Sequence, residues 1–130
     1  MVSPFLIPRT IHHEENGSVT VFEEGTVPFP VRRAFWVSAS DSQSRGSHAH
    51  RECWQALFAT SGQIAVETKS TNGTESFNLE VKSFGLVIPP LTWASQTYIG
   101  ADSTLLVICS HLYSELDYIR DFSEFLVIVQ

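Results

Sequence analysis

The spacing of turn signals constrains this chain more than any other feature. Short runs rich in β-branched and aromatic residues recur at intervals of roughly 8–12 residues, the rhythm of a sandwich or barrel. SVTVFEEG (18–25) ends at a glycine, and VRRAFWVS (31–38) follows the proline-flanked PFP. QALFAT (55–60) is closed by Ser61-Gly62, and QIAVETK (63–69) alternates apolar with polar after it. Asn72-Gly73 predicts a hairpin leading into ESFNLEV (75–81), because both residues tolerate positive φ. FGLVIPP (84–90), TWASQTYI (92–99) and TLLVICS (104–110) supply three further strands. Only the tail departs from this pattern. In SELDYIRDFSEFL (114–126), Ser114 and Asp117 resemble a capping signature, and Leu116, Ile119 and Phe122–Phe125 suit one apolar helical face.

With 130 residues, the chain is expected to form one domain over 1–130, with no internal repeat and no linker. Its formal net charge of -6 argues against nonspecific nucleic-acid binding, which demands a basic face. A few local arginines are still enough to hold a small anion. No apolar run approaches the roughly 20 residues of a membrane helix, and the first residues lack the flank of a signal peptide. A cytoplasmic protein without membrane association is the expectation. Cys53 and Cys109 stand in apolar surroundings at no metal spacing; they read as buried free thiols, with a disulfide as the alternative.

The chemistry centres on RGSHAH (45–50). Side chains alternate faces along a strand, so His48 and His50 point the same way. They are either two arms of a metal cage or two imidazoles free to move protons, with an ordinary pKa near 6.5 suited to acid–base work.

Gly46, the histidine pair and the closing Gly62 resemble the first motif of the cupin superfamily, and GLVIPPLTW (85–93) resembles the second. The resemblance implies an all-β fold, a cupin or jelly-roll antiparallel β-barrel, here with a short C-terminal helix. Metal-binding cupins usually present three histidines and one glutamate. The acidic position falls here on Trp54 or Gln55, and the second-motif histidine on Trp93 or Ala94. The expectation is therefore no metal and no cofactor.

Within the cupins the chain is similar to the nucleotide-sugar 3,4-ketoisomerases that act on dTDP-4-keto-6-deoxyglucose. The likeness runs through ENGSVTVFEEG (15–25), PFPVRRAFWV (28–37), SRGSHAH (44–50), FGLVIPPLTW (84–93) and SHLYSELDYIRDFSEFL (110–126). It implies a metal-independent homodimer that binds a dTDP-linked keto-sugar, and the apolar end FLVIVQ fits a covered surface. It also implies His48 as the main proton shuttle and His50 as its partner. Arg45 is the first candidate for the diphosphate, since a guanidinium forks onto phosphate oxygens. Arg32 and Arg33 face opposite ways on a strand, so one is a candidate for the diphosphate with the other in solvent, and both in solvent is the alternative. Gln55 joins the binding set, and Trp36, Trp93 and Tyr98 are candidates to stack on thymine or sugar, with core packing as the alternative.

Arg120 is expected to pair with neighbouring acids or an adjacent subunit. His12, His13 and His111 have no supporting frame. Two positions depart from the family: Phe35-Trp36 stands where a tyrosine is common, and Asn16 where many members have arginine. The related 3,5-epimerases depend on a His-Asp pair, for which no segment of this chain offers a match.

Overall fold

A computed structural model describes residues 2–82 and 84–130. Ten strands and one helix follow in order: β1 (Phe5–Ile7), β2 (Thr10–Glu14), β3 (Gly17–Val21), β4 (Arg33–Ser38), β5 (Ser44–His50), β6 (Gln55–Ser70), β7 (Gly73–Glu80), β8 (Gly85–Ile88), β9 (Trp93–Cys109), β10 (Tyr118–Ile119) and α1 (Phe122–Val129). All pairings are antiparallel. The architecture is the expected cupin-type barrel with a short C-terminal helix.

Two long strands form its spine. β6 and β9 pair from Gln55↔Cys109 to Lys69↔Trp93. One half of this ribbon carries β8 and β4 on its flanks, and the other half carries β7 and β5. QALFAT and QIAVETK are therefore one strand rather than two, and so are TWASQTYI and TLLVICS. The Ser61-Gly62 turn signal marks a bend: the register slips between Ala59 and Ser61 and again before Gln63. Gly62 has φ of +68°, and a Cβ there would sit 2.8 Å from the backbone of Ser103. Glycine lets the ribbon fold sharply without breaking its ladder.

Alternation along the ribbon explains its apolar runs. Leu57, Ala59, Ile64 and Val66 face inward with Leu79, Leu86, Leu105 and Val107. Ala56, Phe58, Leu106 and Ile108 face outward and are covered by Phe5, Ile7, Val27 and Phe29 from the N-terminal region. Both faces are dry, so β6 reads as a continuous hydrophobic run at its start. Cys53 and Cys109 are buried free thiols in the inner cluster.

The turn at Thr71-Asn72 joins β6 to β7, with Ser70 paired to Gly73, so the hairpin forms where expected, one residue earlier. The tail differs more. Ser114 makes no side-chain cap; residues 115–117 form one 3-10 turn, and the helix begins later, where Asp121 accepts from the N–H groups of Ser123 and Glu124. Leu116 is exposed, while Ile119, Phe122 and Phe125 pack in a small cluster with Ala49 and Trp93. Of the FLVIVQ end, Phe125 is buried and Leu126 and Val127 are exposed. Among the described residues no helix is long and apolar enough to cross a membrane.

Candidate active site

The open end of the barrel holds a cavity of about 230 Å³. Strand β4 sends Arg33, Phe35 and Val37 into it, consistent with alternation. From β5 come Arg45, Gly46 and His48, which strict alternation forbids, because residues 45 and 48 differ in parity. A bulge solves this. The register with β9 runs Arg45↔Gln96 and then jumps to His48↔Ala94, and Gly46 in the gap has φ of +71°. Only glycine adopts that geometry at low cost, and its missing side chain leaves room for Gln96. The bulge thus re-aims Arg45 onto the same wall as the histidine.

Gln55 and Gln96 supply neutral polar groups, and Tyr118 and Arg120 close the wall from the tail. Three guanidinium groups, from Arg33, Arg45 and Arg120, line a cavity that has no lining carboxylate. In a chain of net charge -6 this concentrates positive potential at one place. Arg33 lies over the ring of Phe35 at 4.5 Å, and Arg120 over Tyr118 at 4.2 Å. Arg120 also holds Glu115 at 2.6 and 3.0 Å, the acidic pairing foreseen for it, while still reaching the cavity.

His48 and His50 stand edge to face with centroids 5.0 Å apart, and Tyr118 touches both, at 4.9 and 4.4 Å. Burial, then the neighbouring His50 and Arg120, hold the His48 imidazole down at about 4, so it is neutral at physiological pH. His50 is itself buried, and its Nδ1 lies 2.9 Å from Asp117 Oδ2. Asp117 receives two more donors, the backbone N–H groups of Glu52 and Cys53. Burial opposes its ionisation, but those N–H groups and His50 outweigh it and hold the carboxyl below the usual carboxylate range. The chain therefore does contain a His-Asp pair. No spacing rule could reveal it, since 67 positions separate the partners and the pairing of the tail with β5 brings them together.

Not every candidate reaches the cavity. Arg32 points to a separate cleft of about 500 Å³ with Arg51, Tyr113 and Asp117, so the opposed orientations of Arg32 and Arg33 are as expected. Trp36 lies on the outer face and is 66% exposed. Trp93 packs under α1 against Phe122 and Phe125. Tyr98 is fully buried, and burial pushes its phenol up to about 12. None of these three aromatics lines the cavity. Asp117, Tyr118 and Gln96 were absent from the candidate set; DYIRD (117–121) was the available signal, carrying resemblance but no chemistry of its own. Asn16 sits in the exposed turn between β2 and β3.

One group among the described residues has metal-ligand potential: His50, Cys53 and Asp117, whose ligand atoms lie within 4.8 Å of one another. The Asp117 carboxylate is already spanned by three N–H donors, an arrangement that serves the histidine rather than an ion.

Comparison with known proteins identifies the family. A family model described as "FdtA: WxcM-like, C-terminal" matches residues 5–130. The chain is 28% identical over 114 residues to TDP-4-oxo-6-deoxy-alpha-D-glucose-3,4-oxoisomerase of Aneurinibacillus thermoaerophilus, covering 86% of this chain and 82% of that one. A 3,4-ketoisomerase from Helicobacter canadensis superposes with a TM-score of 0.92 at 27% identity, covering 99% of this chain and 98% of the other. The 3,4-ketoisomerase QdtA from Thermoanaerobacterium thermosaccharolyticum, solved as a histidine-to-asparagine mutant with TDP-4-keto-6-deoxyglucose, gives 0.92 at 25% identity, covering 99% and 95%. By its sequence over residues 5–130, this chain belongs to the FdtA/WxcM-like family.

Proposed function

We propose that this protein is an isomerase that moves the ketone of dTDP-4-keto-6-deoxyglucose from carbon 4 to carbon 3. The observation that carries the reading is the placement of His48, backed by the ring of the buried His50, beside three arginines in one cavity. That combination suits an anionic nucleotide-sugar whose reacting end needs proton transfer near neutral pH. Relatives bearing the 3,4-oxoisomerase and 3,4-ketoisomerase names support the same substrate.

The reaction asks little beyond proton movement. A base removes the carbon-3 hydrogen as a proton, and the electrons of that bond form a double bond to carbon 4. The carbon-4 oxygen becomes an enediol oxygen and gains a proton. Return of a proton to carbon 4, with loss of the proton on oxygen 3, leaves the ketone at carbon 3. His48 and His50 are the groups for these transfers. Arg33 and Arg45 hold the diphosphate, Gln55 and Gln96 meet sugar hydroxyls, and Tyr118 lies against both imidazoles. Phe35 brings no hydroxyl to the cavity, and Tyr118 is the phenol that lines it. The step requires no cofactor, and one domain over 1–130 carries the whole site.

A homodimer completes the reading. The outer apolar groove of about 660 Å³, where Phe22, Phe29, Val31 and the exposed Trp36 meet, suits a second copy of the chain.

Incubation with dTDP-4-keto-6-deoxyglucose in heavy water, followed by proton NMR, tests the function. Migration of the ketone to carbon 3, lost in His48→Asn and His50→Asn, is the expected result. An unchanged substrate spectrum with folded wild-type protein would remove it.

A further inference from the structure

Moving a ketone between neighbouring carbons takes two proton transfers. One proton passes from carbon 3 to carbon 4, and another passes from the oxygen on carbon 3 to the oxygen on carbon 4. Each transfer needs a group that takes a proton and gives one back.

Few groups that line the cavity meet that need. The guanidinium groups of Arg33, Arg45 and Arg120 donate hydrogen bonds but do not release a proton, and the amides of Gln55 and Gln96 do not titrate. The remaining wall is apolar side chains and the glycine of the bulge, apart from His48 and Tyr118. His50 touches the His48 ring but is buried and is not among the lining groups. A reaction that needs two relays therefore meets two side chains able to serve.

Tyr118 is placed for the second relay. Its residue pairs with His50 across β10 and β5, which sets its ring on the histidine side of the sheet, 4.9 Å from the His48 ring. Its hydroxyl has no hydrogen-bond partner among the described residues. The other two tyrosines are unavailable: Tyr113 donates its hydroxyl to Glu115 at 2.5 Å, and Tyr98 is fully buried outside the cavity lining. The Arg120 guanidinium lies over the Tyr118 ring at 4.2 Å, held there by two hydrogen bonds to Glu115. A cation on the face of the ring offsets the negative charge that a phenol carries between giving one proton and taking the next.

We propose that Tyr118 is a catalytic residue that relays the oxygen-bound proton while His48 relays the carbon-bound one. This rests on the ketoisomerase reading and deepens it: the carbon transfer stays with the histidines, and the oxygen transfer passes to the phenol. The electrons balance. His48 takes the carbon-3 proton, that C–H pair becomes the double bond to carbon 4, and the carbonyl pair moves to oxygen 4, which takes the phenol proton. The Tyr118 oxygen then takes the proton of oxygen 3, and that O–H pair becomes the new carbonyl at carbon 3. The double-bond pair takes the proton from His48 at carbon 4, and both side chains return to their starting forms.

Turnover of the keto-sugar by the full chain in heavy water, followed by proton NMR against a protein-free blank, separates the two relays. Deuterium exchange at carbon 3 reports the first, whereas ketone migration needs both. In Tyr118→Phe, migration is expected to fall by about 10²–10³-fold and exchange by less, so the ratio of exchange to migration rises about ten-fold or more. A packing defect would lower both together. TDP affinity by calorimetry stays within about two-fold, as for an interaction made with the reacting sugar alone. Arg120→Gln keeps the hydroxyl but removes the cation from its ring, and the same ratio is expected to rise by about three-fold or more. A folded Tyr118→Phe variant with an unchanged ratio, or with kcat within about three-fold of an active wild type, overturns the relay and leaves the oxygen transfer to water. Should that variant fail to fold, the ratio in Arg120→Gln decides in the same way. Wild-type protein that leaves the keto-sugar unchanged refutes the ketoisomerase reading itself, and the relay with it.

Discussion

Gly46 lies so close beneath Gln96 that a Cβ on residue 46 would stand 2.1 Å from the Gln96 side-chain oxygen. The contact couples the bulge in β5 to the floor of the cavity. Gly46→Ala adds both a steric conflict and a left-handed backbone cost of about 1–2 kcal/mol. The expected outcome is a thermal midpoint lower by several degrees and a higher KM, because Gln96 and Arg45 both move. Truncating Gln96 to alanine in the same protein relieves the clash but not the backbone strain, so thermal denaturation should recover only in part.

His48 makes stability depend on pH. Its folded-state value of about 4 lies below the ordinary 6.5, so the unfolded chain binds the proton first as pH falls. Folding free energy is therefore complete above about pH 6.5 and declines between 6.5 and 4, by about 3 kcal/mol from this group. The facing groups are His50, Arg120 and Glu115, and of these Glu115 alone opposes the shift. Urea unfolding at stepped pH checks the slope, and His48→Gln should flatten it across that window.

The arginines separate by the side of the sheet they occupy. Arg33→Gln and Arg45→Gln each remove a cavity cation, whose hydrogen bonds to an anion are worth about 1.5–3 kcal/mol. Each is expected to raise the dissociation constant for TDP by about 10–100-fold, with a weakened salt dependence. Arg32→Gln, on the neighbouring cleft, should bind TDP nearly as wild type does. Calorimetry at two ionic strengths distinguishes the cases.

Trp36 tests the assembly. At 66% exposure on an apolar groove, it is the side chain whose replacement by glutamate most opposes coverage by a second copy. Sedimentation velocity should show a dimer for wild type and a shift toward monomer for Trp36→Glu. A wild-type monomer at micromolar concentration would remove the dimer from the reading.

Much of this arrangement was legible in the chain itself. Period-2 alternation and the turn residues announced an all-β sandwich or barrel, the cupin resemblance implied the barrel, and the shared parity of His48 and His50 put the pair on one face. Where the reading failed, tertiary geometry was the cause. Ser61-Gly62 and Gly100 carry turn chemistry yet lie within long bent strands, because a ribbon wrapped round a barrel needs glycine at its corners as a loop does. Ser114 resembled a cap, but the segment after it is drawn into pairing with β5, and the helix waits for Asp121.

What the sequence determined alone was the class of chemistry: two imidazoles on one face, arginines for an anion, and strands to carry them. Those follow from residue type and local periodicity, which act over a few positions. The tertiary structure decided which groups meet. The bulge at Gly46 reverses the side on which Arg45 emerges, and the β10–β5 pairing carries Asp117 to His50. Contacts of that kind depend on distant segments closing on one another, and no local pattern in the chain encodes their register.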